Sequence, residues 1–136
     1  MLKTLIVEDS PVFRKTFKEA LCKRFPLMAV EEALDGKEAL EKITTFLPDL
    51  VFMDIRLPGE TGLELTRRMK ASHPHIVIII LTDYDLPEYR EAAHDGGADG
   101  FIAKGALNLE DIGTLLESMF PGRELDSQGP ARKRPC

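Results

Sequence analysis

Acids, a hydroxyl and an ammonium stand at the points in the sequence where apolar runs end. Glu8 and Asp9 follow LKTLIV, and Asp54 follows DLVFM. Thr82 follows HIVIIIL, and Lys104 follows DGFIA. An acid at the tip of a buried strand loses solvation energy unless a partner offsets the loss, so Asp54 in particular requires a chemical explanation.

These five side chains have complementary chemistry. Three neighbouring carboxylates repel one another, and a hard divalent cation removes that cost. Mg²⁺ takes oxygen ligands, whereas zinc and copper favour the His and Cys ligands that are missing from these strand ends. Thr82 can donate a hydrogen bond, and Lys104 can bring positive charge to an anion. The combination suits phosphoryl transfer, with Asp54 as the nucleophile that forms an acyl phosphate.

Each of these residues also has an ordinary structural explanation when it is taken alone. A single acid at a strand end is more often a turn residue or a helix cap. Asp9 could support the start of the first helix, Thr82 is a common strand residue, and Lys104 could be solvated. Their joint occurrence at the ends of four strands favours the functional interpretation.

Five apolar runs alternate with five helical patterns along the chain. The runs are 2–7, 27–33, 49–53, 75–81 and 99–103. The runs 2–7, 49–53 and 75–81 are apolar almost throughout, which is typical of strands covered on both faces of a parallel sheet. The alternation predicts an α/β fold of five βα units with helices on both faces. Ligands bind beyond the carboxyl ends of such strands, so the five side chains are expected at one rim.

Capping residues mark the predicted helix starts. Ser10 followed by Pro11 is typical of an N-cap with proline at the first helical position. The other predicted starts are Asp35 with Glu38, Thr61 with Glu64, Asp85 with Glu88, and Asn108. Gly96-Gly97 and Pro121-Gly122 predict the ends of the fourth and fifth helices.

Length and composition suit one ordinary globular domain. The chain has 136 residues, of which 43% are apolar and 30% are charged. We predict a domain over 1–122 and a disordered tail or linker stub over 123–136. No run has the length of a membrane span and the N-terminus enters a strand at once, which predicts a cytoplasmic protein without membrane contact. The formal charge of −5 argues against direct nucleic-acid binding.

Four motifs make the chain resemble a known family over about residues 2–120. The motifs are VEDS at 7–10, VFMDIRLPGETG at 51–62, IILTDYD at 79–85 and GADGFIAKG at 97–105. Together they are similar to the receiver domain of two-component response regulators. The resemblance implies a flavodoxin-like, doubly wound sheet of five parallel strands in the order 2-1-3-4-5.

The resemblance implies phosphorylation of Asp54 by the phosphohistidine of a sensor histidine kinase or a phosphotransfer protein. It also implies a Mg²⁺ site made by Glu8, Asp9, Asp54 and the backbone carbonyl of Arg56. The chain would then be a phosphorylation switch that catalyses its own phosphotransfer and autodephosphorylation rather than a turnover enzyme. An output domain or an effector protein would receive the signal, and homodimer formation on phosphorylation is left open.

The resemblance assigns further roles to Thr82, Lys104 and Phe101. Thr82 and Lys104 would bind the phosphoryl oxygens. Phe101 stands at the aromatic switch position of the family, where the ring turns inward as the threonine moves towards the phosphate. Phe101 could equally be a core residue.

Three residues depart from the family pattern. Gly105 stands where a proline often follows the lysine, so a cis bond at that position is in doubt. Asp83 stands where the family usually has a small residue, and Arg56 could offset its charge. We therefore consider a gate in which Arg56 and Asp83 pair across the pocket mouth. The alternative is two solvated side chains, whose pairing would contribute roughly 0–1 kcal/mol.

Three other classes of protein use related features. A haloacid-dehalogenase-type phosphatase also has a strand-end aspartate and Mg²⁺, but its motif carries a second aspartate where this chain has Arg56. A degenerate receiver would only dock partners, and the presence of all the acidic and phosphate-binding positions argues against it. A flavodoxin needs a Ser/Thr-rich phosphate loop after the first strand, which this sequence lacks.

Overall fold

Five parallel strands form one sheet in the computed structural model, which describes residues 2–123. The strands are β1 (Lys3–Val7), β2 (Ala29–Ala33), β3 (Leu50–Asp54), β4 (Val77–Thr82) and β5 (Gly100–Ala103). The helices are α1 (Pro11–Arg24), α2 (Gly36–Thr45), α3 (Gly62–Ser72), α4 (Pro87–Asp95) and α5 (Leu109–Met119), and a short 3₁₀ turn covers Lys104–Ala106. The order β2-β1-β3-β4-β5 confirms the predicted topology.

The register of the sheet aligns the ends of four strands. Val7 lies opposite Met53, one residue before Asp54, and Asp54 lies opposite Leu81. Thr82 lies opposite Ala103, one residue before Lys104. The polar residues that end these strands therefore reach the same edge, as the parallel arrangement requires.

Two apolar layers hold the sheet between the helices. One layer joins the sheet to α1 and α5, and its fully buried members include Phe17, Leu21, Phe52, Ile79, Ile112 and Leu116. The other joins the sheet to α2, α3 and α4, and includes Val51, Met53, Ile43, Leu65, Met69 and Ala93. Because both faces are covered, β3 is buried along its whole length, which explains its continuous apolar run.

Side-chain caps begin four of the five helices. Ser10, Asp35, Thr61 and Asn108 each accept a backbone N–H of the first turn that follows them, as predicted. The prediction of a cap by Asp85 is wrong. Leu86 precedes α4 and makes no capping bond, because the Asp85 carboxylate instead accepts a hydrogen bond of 2.6 Å from Arg90 Nε.

Within residues 2–123, no helix is both long and apolar enough to cross a membrane. The predicted tail lies outside the described residues from position 124 onward, so its assignment stays a prediction.

Candidate functional site

The aligned strand ends bring three carboxylates together. One oxygen from each of Glu8, Asp9 and Asp54 lies within 4.8 Å of the others. Glu8 is 2% exposed and Asp54 is 7% exposed, whereas Asp9 faces solvent. The cluster therefore has two buried acids and one at its open side.

Lys104 places its ammonium against the two buried acids. Its Nζ donates a hydrogen bond to the Glu8 carboxylate and lies 3.6 Å from Asp54 Oδ1. On another side, Nζ lies 4.3 Å from the centroid of the Phe13 ring. The peptide bond between Lys104 and Gly105 is trans, so the doubtful cis bond is not formed.

The surroundings of Asp54 disfavour its charged form. Burial raises the pKa of the Asp54 carboxyl to about 7, and repulsion by Glu8 adds to the effect. The charge of Lys104 lowers this pKa but does not outweigh burial. For Lys104 itself, burial opposes the charged form, yet the hydrogen bond to Glu8 and the charge of Asp54 leave the pKa raised. At neutral pH the ammonium is thus charged, and Asp54 carries only part of a full negative charge.

Residues of α1 and the loop before it hold Glu8 in place. The Ser10 backbone N–H donates to Glu8 Oε2 at 2.9 Å, and Arg14 Nη1 donates to the Glu8 carbonyl at 2.7 Å. Arg14 Nε also pairs with Glu32 Oε1 at 3.1 Å, which fixes the guanidinium between β1 and β2. Neither Arg14 nor Phe13 was predicted from the sequence as a site residue. Their positions one turn into the helix that follows Glu8 are the signal that could have revealed them.

The loop after Asp54 turns back tightly because Gly62 has no side chain. A Cβ on Gly62 would lie 1.9 Å from the Asp54 carbonyl oxygen. The Gly62 N–H donates a hydrogen bond to the Ile55 carbonyl oxygen at 2.7 Å. The glycine in this motif therefore lets the start of α3 pack against the end of β3.

Thr82 and Phe101 lie on neighbouring strands, and each has a partner. Thr82 is 1% exposed, and its Oγ1 accepts the Tyr84 N–H at 3.0 Å. Phe101 is half-buried against the α2–α4 layer, and the Arg90 guanidinium lies 4.7 Å from its ring centroid. The same guanidinium pairs with Asp85, as described above.

The predicted pairing of Arg56 with Asp83 requires a correction. Both residues are exposed, and across residues 2–123 no ion pair joins them. The Arg56 guanidinium instead lies 4.1 Å above the ring of Tyr84, the residue next to Asp83. A flat ring attracts a guanidinium on its face, while an exposed carboxylate keeps its water.

The three clustered acids fit a hard divalent cation. All three offer carboxylate oxygens, the ligand type that Mg²⁺ prefers. Burial first, and then repulsion by Glu8, raise the pKa of the Asp54 carboxyl, and a bound cation would favour its charged form. The Arg56 carbonyl stays a predicted ligand.

Comparisons with known proteins match this arrangement. Residues 4–117 match the family described as the response regulator receiver domain. Response regulator GacA of Pseudomonas syringae pv. syringae is 33% identical over 123 residues, which are 90% of this chain and 57% of GacA. Oxygen regulatory protein NreC of Staphylococcus carnosus is 38% identical over 122 residues, which are 89% of this chain and 56% of NreC. The chain thus spans little more than half the length of these relatives.

A solved structure has the same fold. Response regulator TrrA of Thermotoga maritima, in complex with Mg²⁺-BeF, is 30% identical and superposes with a TM-score of 0.77. The alignment covers 88% of this chain and 100% of that chain.

Proposed function

This chain belongs to the response regulator receiver domain family, and from this premise we propose that it accepts a phosphoryl group on Asp54 and changes conformation in response. The observation that carries the proposal is the position of Asp54. Its carboxylate lies at the rim of the sheet, 3.6 Å from the Lys104 ammonium and within 4.8 Å of the carboxylates of Glu8 and Asp9. This combination provides a nucleophile, a positive charge for the transferred group and oxygen ligands for a cation.

The donor in this proposal is the phosphohistidine of a sensor histidine kinase or a phosphotransfer protein. An Asp54 oxygen attacks phosphorus, and the bond from phosphorus to the histidine nitrogen breaks. The nitrogen keeps the electron pair and takes a proton, and Asp54 becomes an acyl phosphate. Lys104 would then change partners from Glu8 to a phosphoryl oxygen, and Thr82 would donate its hydroxyl to another.

Mg²⁺ is the cation we propose for this site. Glu8, Asp9, Asp54 and the Arg56 carbonyl would hold it, and the Mg²⁺-BeF complex of TrrA supports the choice. When bound, Mg²⁺ neutralises negative charge on the phosphoryl oxygens. Arg14 and the Ser10 N–H would keep Glu8 in position to bind the cation, because both donate hydrogen bonds to Glu8.

The conformational change is proposed to start at Thr82. Movement of its hydroxyl towards a phosphoryl oxygen would break the bond from the Tyr84 N–H. The loop that carries Tyr84 continues into Asp85 and α4, so the change would reach the contact of Arg90 with Phe101. A phosphorylation switch of this kind catalyses its own phosphotransfer and autodephosphorylation.

The recipients of the signal are also proposals. GacA and NreC are nearly twice as long as the matched region, which supports the proposal that an output domain or a separate effector protein receives the signal. Homodimer formation on phosphorylation and a cytoplasmic location stay predictions.

Mass spectrometry tests the phosphorylation directly. Incubation with acetyl phosphate and Mg²⁺ is expected to add the mass of one phosphoryl group to the intact wild type. Asp54→Asn is expected to add none, whereas Asp83→Asn, which alters an exposed acid nearby, is expected to be labelled. Labelling of Asp54→Asn would overturn the assignment, and steady hydrolysis of phosphate monoesters would favour the phosphatase instead.

A further inference from the structure

A stack of three phenyl rings leads from the core to the functional site. Phe52 of β3 is fully buried and meets Phe17 of α1 edge to face, with ring centroids 5.0 Å apart. Phe17 stacks with Phe13, with centroids 5.6 Å apart and ring planes 23° apart. Phe13 is half-buried and lies at the outer end of this stack. The Phe13 ring is therefore packed against rings that are buried in the core.

The outer ring of the stack faces Lys104. The ammonium nitrogen lies 4.3 Å from the Phe13 centroid, a distance at which the ring face attracts a cation. The residue after Lys104 has no side chain that could contact the ammonium. Gly105 is exposed, and a Cβ built there would meet nothing within 4 Å. The carboxylates of Glu8 and Asp54 also contact the ammonium.

We propose that Phe13 is a positioning residue for phosphoryl transfer, because its ring holds the Lys104 ammonium beside Asp54. This inference rests on the proposed function. A lysine side chain has four rotatable bonds, and fixing it before the reaction removes an entropy cost from the transition state. As phosphorus passes to Asp54, the ammonium already stands where the phosphoryl oxygens arrive.

A ring is better suited to this task than a third carboxylate would be. A carboxylate would form a directional hydrogen bond and compete with the phosphoryl oxygens for the ammonium. The ring face attracts the charge without taking a hydrogen bond from it. Lys104 can therefore leave Glu8 for the phosphoryl group while Phe13 still limits where the ammonium lies.

Nuclear magnetic resonance tests the contact in the unphosphorylated protein. The ε-methylene signals of Lys104, assigned with Lys104→Arg, are expected to show an upfield ring-current shift. Phe13→Leu is expected to remove this shift, and Phe13→Tyr is expected to keep it. An unshifted Lys104 in the wild type would overturn the proposed geometry, whatever the phosphorylation experiments show.

Phosphorylation kinetics test the role. With acetyl phosphate and Mg²⁺, Phe13→Leu is expected to lower the maximal rate constant about fivefold or more, because the loss of positioning acts on the bond-breaking step. The concentration of acetyl phosphate that gives half the maximal rate is expected to change by less than about twofold. Phe13→Tyr is expected to restore the wild-type rate.

Phe120→Leu is the matched control. It makes the same substitution at a half-buried ring directly after α5, outside the three-ring stack. It is expected to lower the melting temperature while the rate stays near that of the wild type. An equal loss of rate in the control would overturn the inference, because packing alone would then explain the effect.

The two proposals fail in different ways. A labelled wild type with an unchanged rate in Phe13→Leu would overturn the role of Phe13 alone. A wild type that takes no phosphoryl group would overturn the proposed function, and with it any role of Phe13 in transfer.

Discussion

At the scale of single residues, the two buried acids Glu8 and Asp54 differ in how their charges are compensated. Glu8 accepts hydrogen bonds from Lys104 and from the Ser10 N–H, whereas the Asp54 carboxylate lies 3.6 Å from the same ammonium and is repelled by Glu8. Asp54 is therefore the group whose charge costs most, as the raised pKa of its carboxyl shows. Keeping this carboxylate buried lowers the free energy of unfolding, and both pH and Mg²⁺ are expected to change the size of that loss.

The first prediction concerns pH. The pKa of Asp54 is about 7 in the folded chain, against a reference value of 3.8 when unfolded. Between these values the folded state binds more protons, so the free energy of unfolding falls as pH rises from about 4 to about 7. Asp54→Asn lacks this titration. The free energy of unfolding of the wild type, minus that of Asp54→Asn, should therefore fall by a few kcal/mol between about pH 4 and pH 7, on the order of 1.4 kcal/mol per pKa unit. Urea denaturation without divalent cations measures this, and a constant difference across the range would contradict it.

The second prediction concerns Mg²⁺. A cation that binds only the folded state raises the free energy of unfolding, by about 2.7 kcal/mol at one hundred times its dissociation constant. We expect Mg²⁺ to raise the melting temperature of the wild type and Asp9→Ala to lose most of that rise. Asp83→Ala, which removes an exposed acid outside the cluster, should keep it. An equal rise in Asp9→Ala and the wild type would exclude Asp9 as a ligand.

At the scale of elements, caps and turns account for most of the helix boundaries. Ser10, Asp35, Thr61 and Asn108 each satisfy a backbone N–H that the first turn of a helix would leave open. The backbone just after the C-terminus of α2 is strained, in contrast to these capped starts. Leu47 follows this helix with φ of +54°, a conformation in which a branched side chain is strained.

The third prediction uses this strain. Leu47 is 57% exposed, so its replacement loses little buried area. Leu47→Asn should raise the free energy of unfolding by roughly 0.5–1 kcal/mol, because asparagine tolerates positive φ. Leu47→Val should lower it, since β-branching makes the conformation worse. Leu34→Asn is the matched control at an exposed leucine without positive φ, and an equal gain there would show that strain is not the cause.

At the scale of the whole molecule, the site depends on residues far apart in the chain. Glu8, Asp54, Thr82 and Lys104 come from four strands, and only the parallel register brings them to one rim. The central strands β1, β3 and β4 are buried on both faces and form a rigid support. The partners that could move, Tyr84, Arg90 and Phe101, lie at one side of the sheet around α4 and β5.

The fourth prediction follows from this division. Beryllofluoride with Mg²⁺ mimics a phosphoryl group on Asp54 and should shift amide resonances from Thr82 to Lys104, well beyond direct contact. Amides in the middle of β1 and β3 should change little. Thr82→Ala should keep the shifts around Asp54 and lose those in α4 and β5. Shifts confined to the pocket in the wild type would count against a conformational switch.

The sequence by itself determined the five βα units and the polar strand ends. Continuous apolar runs report burial on both faces, and the residue that ends such a run must stand at the edge of the sheet. Ser10, Asp35, Thr61 and Asn108 were predictable as caps because a cap depends on residues two or three positions away. The strand order came from the family motifs, because periodicity does not say which strands are neighbours.

Only the tertiary structure decided which side chains are partners across the site. Arg56 could have paired with Asp83, but the fold places the Tyr84 ring under its guanidinium. Asp85 could have capped α4, but its carboxylate accepts a hydrogen bond from Arg90 Nε instead. Phe13 lies 91 positions before Lys104, and their contact exists because α1 and the end of β5 meet at the same rim. The contacts of Arg56 and of Phe13 depend on short-range forces between distant segments, so no local pattern in the sequence contains them.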